Sequence, residues 1–137
     1  MEIEFPIEFL VLGTPVSAQS RNPLSRDGWK ARVLAAAENV VPQAHFASQK
    51  RLAATLYYFP EGRRQGDVDN IVKLTLDALW PHIYLDDSQI ERVVVQKFEP
   101  GNVFRFSDPS ATLLDAIVGT KPVLYVRLSD RPFEDLT

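Results

Sequence analysis

Segments rich in β-branched and aromatic residues alternate along the chain with segments whose apolar residues recur every three or four positions. The first pattern predicts strands at residues 3–12, 51–59, 91–99 and 122–128. Pro6 interrupts the first of these, which favours a strand start or an edge strand. Residues 51–59 are apolar at successive positions, which is typical of a strand covered on both faces in the middle of a sheet.

Three helices are predicted between these strands. The first runs to about Val40, with Ser25 or Asp27 as its N-cap, and Pro42 lies beyond its end. Its apolar residues at helical spacing are Trp29, Val33, Ala36 and Val40.

The second helix is predicted from about Asn70 to Leu79, closed by Pro81, and a short third one spans Pro109 to Val118. The third has its apolar residues facing inward, namely Leu113, Leu114 and Ile117. Strands and helices interleave, so the fold class predicted is α/β (α+β). We expect one domain over residues 1–129, with a mixed sheet of about four strands flanked by two or three helices, and an acidic C-terminal tail over residues 130–137.

Two aspartates directly precede the second helix. If Asp67-Val68-Asp69 is extended, Asp67 and Asp69 project to the same side and Val68 turns toward the core. Two carboxylates held close together repel each other unless a cation or a proton lies between them. Hard oxygen ligands of this kind suit Mg²⁺ and Mn²⁺.

The second helix itself is amphipathic. Asn70, Lys73 and Asp77 fall within about 60° of arc on the helix, so they form one polar stripe. The opposite side is apolar and carries Ile71, Val72, Leu76 and Leu79. Lys73 lies about one turn from Asp69, where its ammonium could contact a phosphate. Asp86 and Asp87 follow shortly after this helix.

Each of these polar residues also has a purely structural interpretation. Asp69 could be only the N-cap of its helix. Lys73 and Asp77, four positions apart, could form an exposed ion pair. Asp86 and Gln89 have the spacing of a capping box. A lone Asp-x-Asp is a weak motif, so the residues alone leave the metal site and these roles open.

Composition excludes several classes of protein. The 137-residue chain has no cysteine, which excludes disulfides, cysteine-ligated zinc and thiol catalysis. Its apolar runs are far shorter than the roughly 20 residues that a membrane span requires. The acidic, proline-broken start does not resemble a secretory signal. We therefore expect a cytoplasmic protein without a membrane association.

The charge is unevenly distributed. The formal net charge is −3. Residues 21–64 nevertheless contain eight basic and three acidic side chains, a local balance of +5 that leaves −8 for the rest. A basic surface beside carboxylates could bind a phosphate backbone with strong salt dependence, although a solvated surface of mixed charge is an equally good interpretation. The candidates for phosphate contacts are Arg21, Arg26, Lys30, Arg63 and Arg64.

Two motifs together resemble a known family. Asp67-Val68-Asp69-Asn70-x-x-Lys73-x-x-x-Asp77-x-Leu79, followed by Leu85-Asp86-Asp87-x-Gln89, is similar to the signature of the RusA-type Holliday-junction resolvases. The strand after these motifs is rich in valine and ends in Lys97. Gly13-x-Pro15 and the early helix with Ser25, Gly28 and Arg32 add to the likeness, which covers about residues 8 to 99, whereas residues 101–121 look like an addition to the family pattern.

The resemblance implies a homodimeric, Mg²⁺-dependent endodeoxyribonuclease that cuts four-way DNA junctions in recombination or repair, with Mn²⁺ as a possible substitute metal. Its metal-binding aspartates match Asp67, Asp69 and Asp87, and its catalytic lysine matches Lys73. Three further motif positions, Asn70, Asp77 and Asp86, are expected to support the site.

Three other functions stay open at this point. A catalytically inactive descendant would bind branched DNA in Mg²⁺ and leave it uncut. A flap- or fork-selective nuclease would share all the residues above. A nucleotide-sugar enzyme could hold a diphosphate through its Asp-x-Asp motif, although only 66 residues precede the motif here and no glycine-rich phosphate loop is visible.

Overall fold

A mixed β-sheet forms the centre of the computed structural model, which describes residues 1–63 and 67–134. Its strands are β1 (Ile7–Leu12), β2 (Leu52–Phe59), β3 (Ile90–Lys97) and β4 (Val123–Ser129), arranged in the order β1-β4-β2-β3. β4 is antiparallel to both β1 and β2, whereas β2 and β3 are parallel. The predicted mixed sheet, the central β2 and the edge strand that begins after Pro6 are all confirmed.

Helices cover both faces of this sheet. They are α1 (Pro23–Glu38), α2 (Asp69–Leu79) and α3 (Ala111–Val118). α1 and α2 pack together on one face, over residues such as Phe9, Leu56 and Val126. α3 packs on the other face, over Tyr125 and Phe59. α2 is the crossover that joins the parallel strands β2 and β3. It therefore begins near the C-terminal end of β2 and ends near the N-terminal end of β3.

The start of α1 differs from the prediction. Asn22, rather than Ser25 or Asp27, is the N-cap, and its side-chain oxygen accepts hydrogen bonds from the N–H groups of Leu24 (3.0 Å) and Ser25 (3.3 Å). Pro23 fits the first helical position because it has no N–H that needs a partner. The helix also ends at Glu38, before the predicted Val40, and buries Trp29, Val33 and Ala37.

The segment between β3 and β4 covers the second face of the sheet. Phe104 and Phe106 pack on Phe98, with ring centroids 4.8 and 5.2 Å apart, and α3 buries Leu113 and Ala116. Leu114 was predicted to face inward but is 45% exposed, since the short helix presents only a narrow stripe to the sheet. Residues 101–121 therefore complete a second, largely aromatic core.

The described part of the tail contacts the sheet. The Glu134 carboxylate accepts hydrogen bonds from Arg127 (3.0 Å) and Ser129 (3.2 Å), and the bond from Arg127 is the main reason that the pKa of Glu134 is lowered. The boundary at residue 129 stays a prediction. Across the described residues, no helix has both the length and the apolar character that crossing a membrane takes.

Ser110 connects α3 to the edge strand β1. It caps α3 by accepting the Leu113 N–H (3.1 Å) and donates to the Glu8 carboxylate at 2.5 Å, where Tyr125 also donates. We expect Ser110→Ala to lower the free energy of unfolding by about 1–2 kcal/mol, since both a cap and a charge-assisted hydrogen bond are lost. Urea unfolding measures this, and Ser107→Ala, an exposed serine of the same segment, should change stability by less than about 0.5 kcal/mol.

Candidate active site

The first two aspartates lie on a helical turn. Val68 has φ −58° and ψ −43°, and the N–H of Asn70 donates to the Asp67 carbonyl (3.1 Å). The prediction of an extended Asp67-Val68-Asp69 with Val68 toward the core is therefore wrong, and Val68 is 38% exposed. α2 begins at Asp69, one residue earlier than the pattern indicated, and the turn before it is already helical. The N-cap interpretation of Asp69 is also wrong, since the N-cap is Val68.

Asp67 and Asp69 are exposed at the N-terminus of α2. Side chains two positions apart on a helix diverge by about 200°, so the backbone does not by itself aim these two carboxylates at one point. The positive end of the helix dipole favours negative charge at this place. Both groups are thus accessible oxygen donors at the start of a helix.

The polar stripe of α2 is confirmed. Lys73 and Asp77 form an ion pair with Nζ and Oδ1 3.1 Å apart, and the Ser17 hydroxyl donates to Asn70 Oδ1 (3.2 Å). On the opposite side α2 buries Ile71, Leu74, Thr75, Ala78 and Leu79. Lys73 is exposed and Asp77 is partly exposed, so the pair contributes only a few tenths of a kcal/mol to stability. Its main consequence is to hold the Lys73 ammonium beside a carboxylate.

The turn that carries Asp86 and Asp87 is fixed by Gln89. The predicted capping box is present: Gln89 Oε1 accepts the N–H groups of Leu85 and Asp86, each at 2.9 Å, and Asp86 accepts the Ser88 N–H at 3.0 Å. The bond from Ser88 lowers the pKa of Asp86. Gln89 Nε2 also donates to the carbonyls of Ser48 and Lys50, each at 2.8 Å. One side chain therefore ties this turn to the segment that enters β2.

Tyr84 is a site residue that the sequence analysis missed. It is 1% exposed, and its hydroxyl lies 3.0 Å from the Leu76 carbonyl and 3.3 Å from Asp87 Oδ1. Burial, followed by the charge of Asp87, raises the pKa of Tyr84, so its hydroxyl stays protonated and donates. A tyrosine three residues before an aspartate carries no sequence signal of its own, so only the fold shows that the Tyr84 hydroxyl lies between Asp87 and the Leu76 carbonyl of α2.

Lys73, Asp77 and Asp87 line one small cavity of about 110 Å³ between α2 and the Asp87 turn. Asp69 is the first residue of α2. Along the helix axis, at 1.5 Å per residue, it lies about 6 Å from Lys73 and about 12 Å from Asp77. Among residues 1–63 and 67–134, no three acidic or histidine side chains lie close enough together to hold a metal ion. The fold thus places Lys73 close to Asp87, whereas Asp67 and Asp69 lie one to two helical turns away.

The donor chemistry fits a hard divalent ion. Asp67, Asp69 and Asp87 are all exposed carboxylates, and Mg²⁺ is commonly bound by one or two carboxylates together with waters and substrate phosphate oxygens. A set of this kind needs no closed protein cage, so ligands supplied by DNA or by a second chain can complete it.

The predicted DNA-contacting residues have different surroundings. Arg21 and Arg63 are exposed, and Arg63 Nε donates to the Pro100 carbonyl (3.3 Å). The Arg26 guanidinium bonds to the Ser20 carbonyl. Lys30 lines a larger hollow together with Asp77 and Asp87. Arg64 lies outside the described residues.

Comparison with known proteins gives one family. The family model described as endodeoxyribonuclease RusA matches residues 16–105, which is more than half of the chain. The match includes α1, β2, α2 and β3, and with them all four residues predicted to be catalytic. No curated protein matches the chain.

Proposed function

The chain belongs to the RusA family of endodeoxyribonucleases, and on this basis we propose that it cuts four-way DNA junctions in a Mg²⁺-dependent reaction that serves recombination or repair. The observation that carries the proposal is the match across residues 16–105, which spans both acidic motifs. The cavity lined by Lys73, Asp77 and Asp87 supports it, because Lys73 could offset the charge of a phosphodiester there while Asp87 could hold a metal ion beside it.

Asp67, Asp69 and Asp87 would hold one or two Mg²⁺ ions, and Mn²⁺ would serve as a substitute metal. When bound there, the ion supplies an activated water and stabilises negative charge on the phosphate. Lys73 would offset charge on a phosphate oxygen, with Asp77 holding its ammonium in place. Tyr84 and Gln89 orient the Asp87 turn, while Asn70 and Asp86 support the two ends of the site.

We propose that the enzyme is a homodimer. A four-way junction presents two strands related by symmetry, so two sites related by a two-fold axis match the substrate.

Basic side chains around the site would bind the phosphate backbone. Arg21, Arg26, Lys30, Arg63 and Arg64 are the proposed contacts. Each phosphate contact releases counterions from the DNA, so the affinity for a junction should fall steeply as the salt concentration rises.

One assay tests the proposed function. The purified protein is incubated with labelled four-way, forked and linear DNA of the same sequences, in Mg²⁺ and in EDTA. Paired, symmetric nicks in the four-way DNA, only in Mg²⁺, support the proposal. Binding without cutting would instead identify an inactive junction-binding module, and preferential cutting of the fork would identify a fork nuclease. Failure to bind or cut any branched DNA would refute all three.

Removing the Tyr84 hydroxyl should weaken the metal site. In Tyr84→Phe, Asp87 loses a donor that orients its carboxylate, and the loss of such supporting contacts costs about 10–100-fold in metal affinity. We expect the Mg²⁺ concentration for half-maximal cleavage to rise about tenfold, and Mn²⁺ binding measured by calorimetry to weaken to a similar extent.

Tyr125→Phe is the matched control. Tyr125 is also buried and its hydroxyl also donates to a carboxylate, that of Glu8, but on the opposite face of the sheet. It should lower stability without changing the Mg²⁺ requirement. Equal Mg²⁺ curves for the wild type and Tyr84→Phe would remove Tyr84 from the site.

A further inference from the structure

The two tryptophans of the chain have opposite environments. Trp29 is 3% exposed and its indole N–H donates to the Thr75 hydroxyl (3.1 Å) in the core. Trp80, directly after α2, is 51% exposed. Its indole N–H donates to the Leu85 carbonyl at 2.8 Å, which fixes the ring between the end of α2 and the Asp86–Asp87 turn. A large aromatic surface is thus held rigidly in solvent.

Trp80 lines a hollow of about 560 Å³ beside the candidate active site. The hollow is formed by Lys30, Asp77, Trp80, Leu85, Asp86 and Asp87. It shares Asp77 and Asp87 with the small cavity that contains Lys73. A ligand in the hollow would therefore lie next to the proposed metal ligand Asp87, with one cation and one aromatic ring within its reach.

We propose that Trp80 stacks on an unpaired base of the DNA, next to the phosphate that is cut. This proposal rests on the proposed function. Bases in a linear duplex are already stacked on both sides, whereas a branch point can expose the face of a base. Stacking of a base on an aromatic side chain tolerates any sequence, because every base has a π-face. Lys30 would pair with a phosphate of the same strand.

The composition of the hollow favours a nucleotide over a protein partner. The cores of protein interfaces are depleted in charged residues. Here four of the six lining side chains are charged, namely Lys30 and three aspartates, and Leu85 is the aliphatic one. This excess of negative charge would repel a phosphate unless a cation is bound there, so the inference requires the metal ion of the proposed function. A nucleotide combines a flat apolar base with a charged phosphate, which corresponds to an indole beside a lysine and a metal-binding carboxylate.

Tryptophan fluorescence tests the proposal on the intact protein. With Ca²⁺ in place of Mg²⁺ to limit cutting, the protein is titrated with four-way DNA and with linear duplex, and binding is measured separately by anisotropy of labelled DNA. Because Trp29 is buried, a change in emission reports mainly on Trp80. We expect saturating junction to quench the emission and saturating duplex to leave it nearly unchanged.

Substitutions separate stacking from structure. Trp80→Leu should weaken junction binding about tenfold with little effect on duplex binding. Trp80→Phe keeps a ring and should lose less than about threefold, while the quench disappears. Phe133→Leu, which alters an exposed aromatic residue after β4, should change neither. Thermal unfolding followed by circular dichroism checks that each variant is folded.

The outcomes distinguish this inference from the proposed function. If the junction binds and is cut in Mg²⁺ but no quench occurs, or if folded Trp80→Leu binds as the wild type does, base stacking is wrong and the nuclease assignment stands. A quench that grows with protein concentration in the absence of DNA would mean that a second copy covers Trp80, and would overturn the inference. If the wild type neither binds nor cuts the junction, both proposals fail.

Discussion

Asp69→Asn is expected to lower the cleavage of a four-way junction by at least about 100-fold. Asparagine keeps the size of the side chain but removes the negative charge with which a carboxylate binds Mg²⁺. Removing a residue that supports a metal ligand lowers metal affinity or activity by up to about 100-fold, so removing a direct ligand should lower activity at least as much. Junction binding should be kept or become tighter, because a negative charge is removed from a surface that faces phosphates.

The measurement pairs single-turnover cleavage with binding by anisotropy. Asp27→Asn, an exposed aspartate of α1 outside both motifs, is the control and should cut at the wild-type rate. If Asp69→Asn retained cleavage at a rate close to that of the wild type, Asp69 would have no place among the metal ligands. The remaining carboxylates would then have to account for the reaction.

Gln89→Leu is expected to have the second largest effect, since it acts on stability and activity together. Leucine has a similar size but makes none of the four hydrogen bonds of Gln89, of which two are accepted from Leu85 and Asp86 within the turn and two are donated to Ser48 and Lys50. With about 0.5–1.5 kcal/mol for each bond, and a discount because water can replace some of them, we expect a loss of about 2 kcal/mol in the free energy of unfolding.

Urea unfolding and cleavage, both measured well below the melting temperature, test this expectation. Cleavage should fall because the Asp87 turn is no longer held beside α2. Gln96→Leu replaces an exposed glutamine of the edge strand β3 and should change stability by less than about 0.5 kcal/mol. A Gln89→Leu protein as stable and as active as this control would show that the turn is held by other contacts.

The course of the chain could largely be predicted from its periodicity. Apolar residues at successive positions identified β2 as an inner strand of the sheet, and the polar stripe of α2 was predicted with Asn70, Lys73 and Asp77 on one side. Errors occurred where a short segment has two acceptable local structures. Val68 continues a helical turn although the same residues could be extended, and Asn22 caps α1 because Pro23 follows it.

The sequence by itself determined the order of strands and helices, the mixed sheet and the family, because these depend on local propensity, hydrophobic spacing and a motif carried by neighbouring residues. Only the tertiary structure decided that Tyr84 holds Asp87 against Leu76, that Gln89 reaches Ser48, and that Trp80 stays in solvent while Trp29 is buried. Those facts depend on contacts between segments that the sheet and the α2 crossover bring together. Residue spacing has no signal for them, because whether such a side chain is buried, and which group it reaches, is set by the packing of the whole domain.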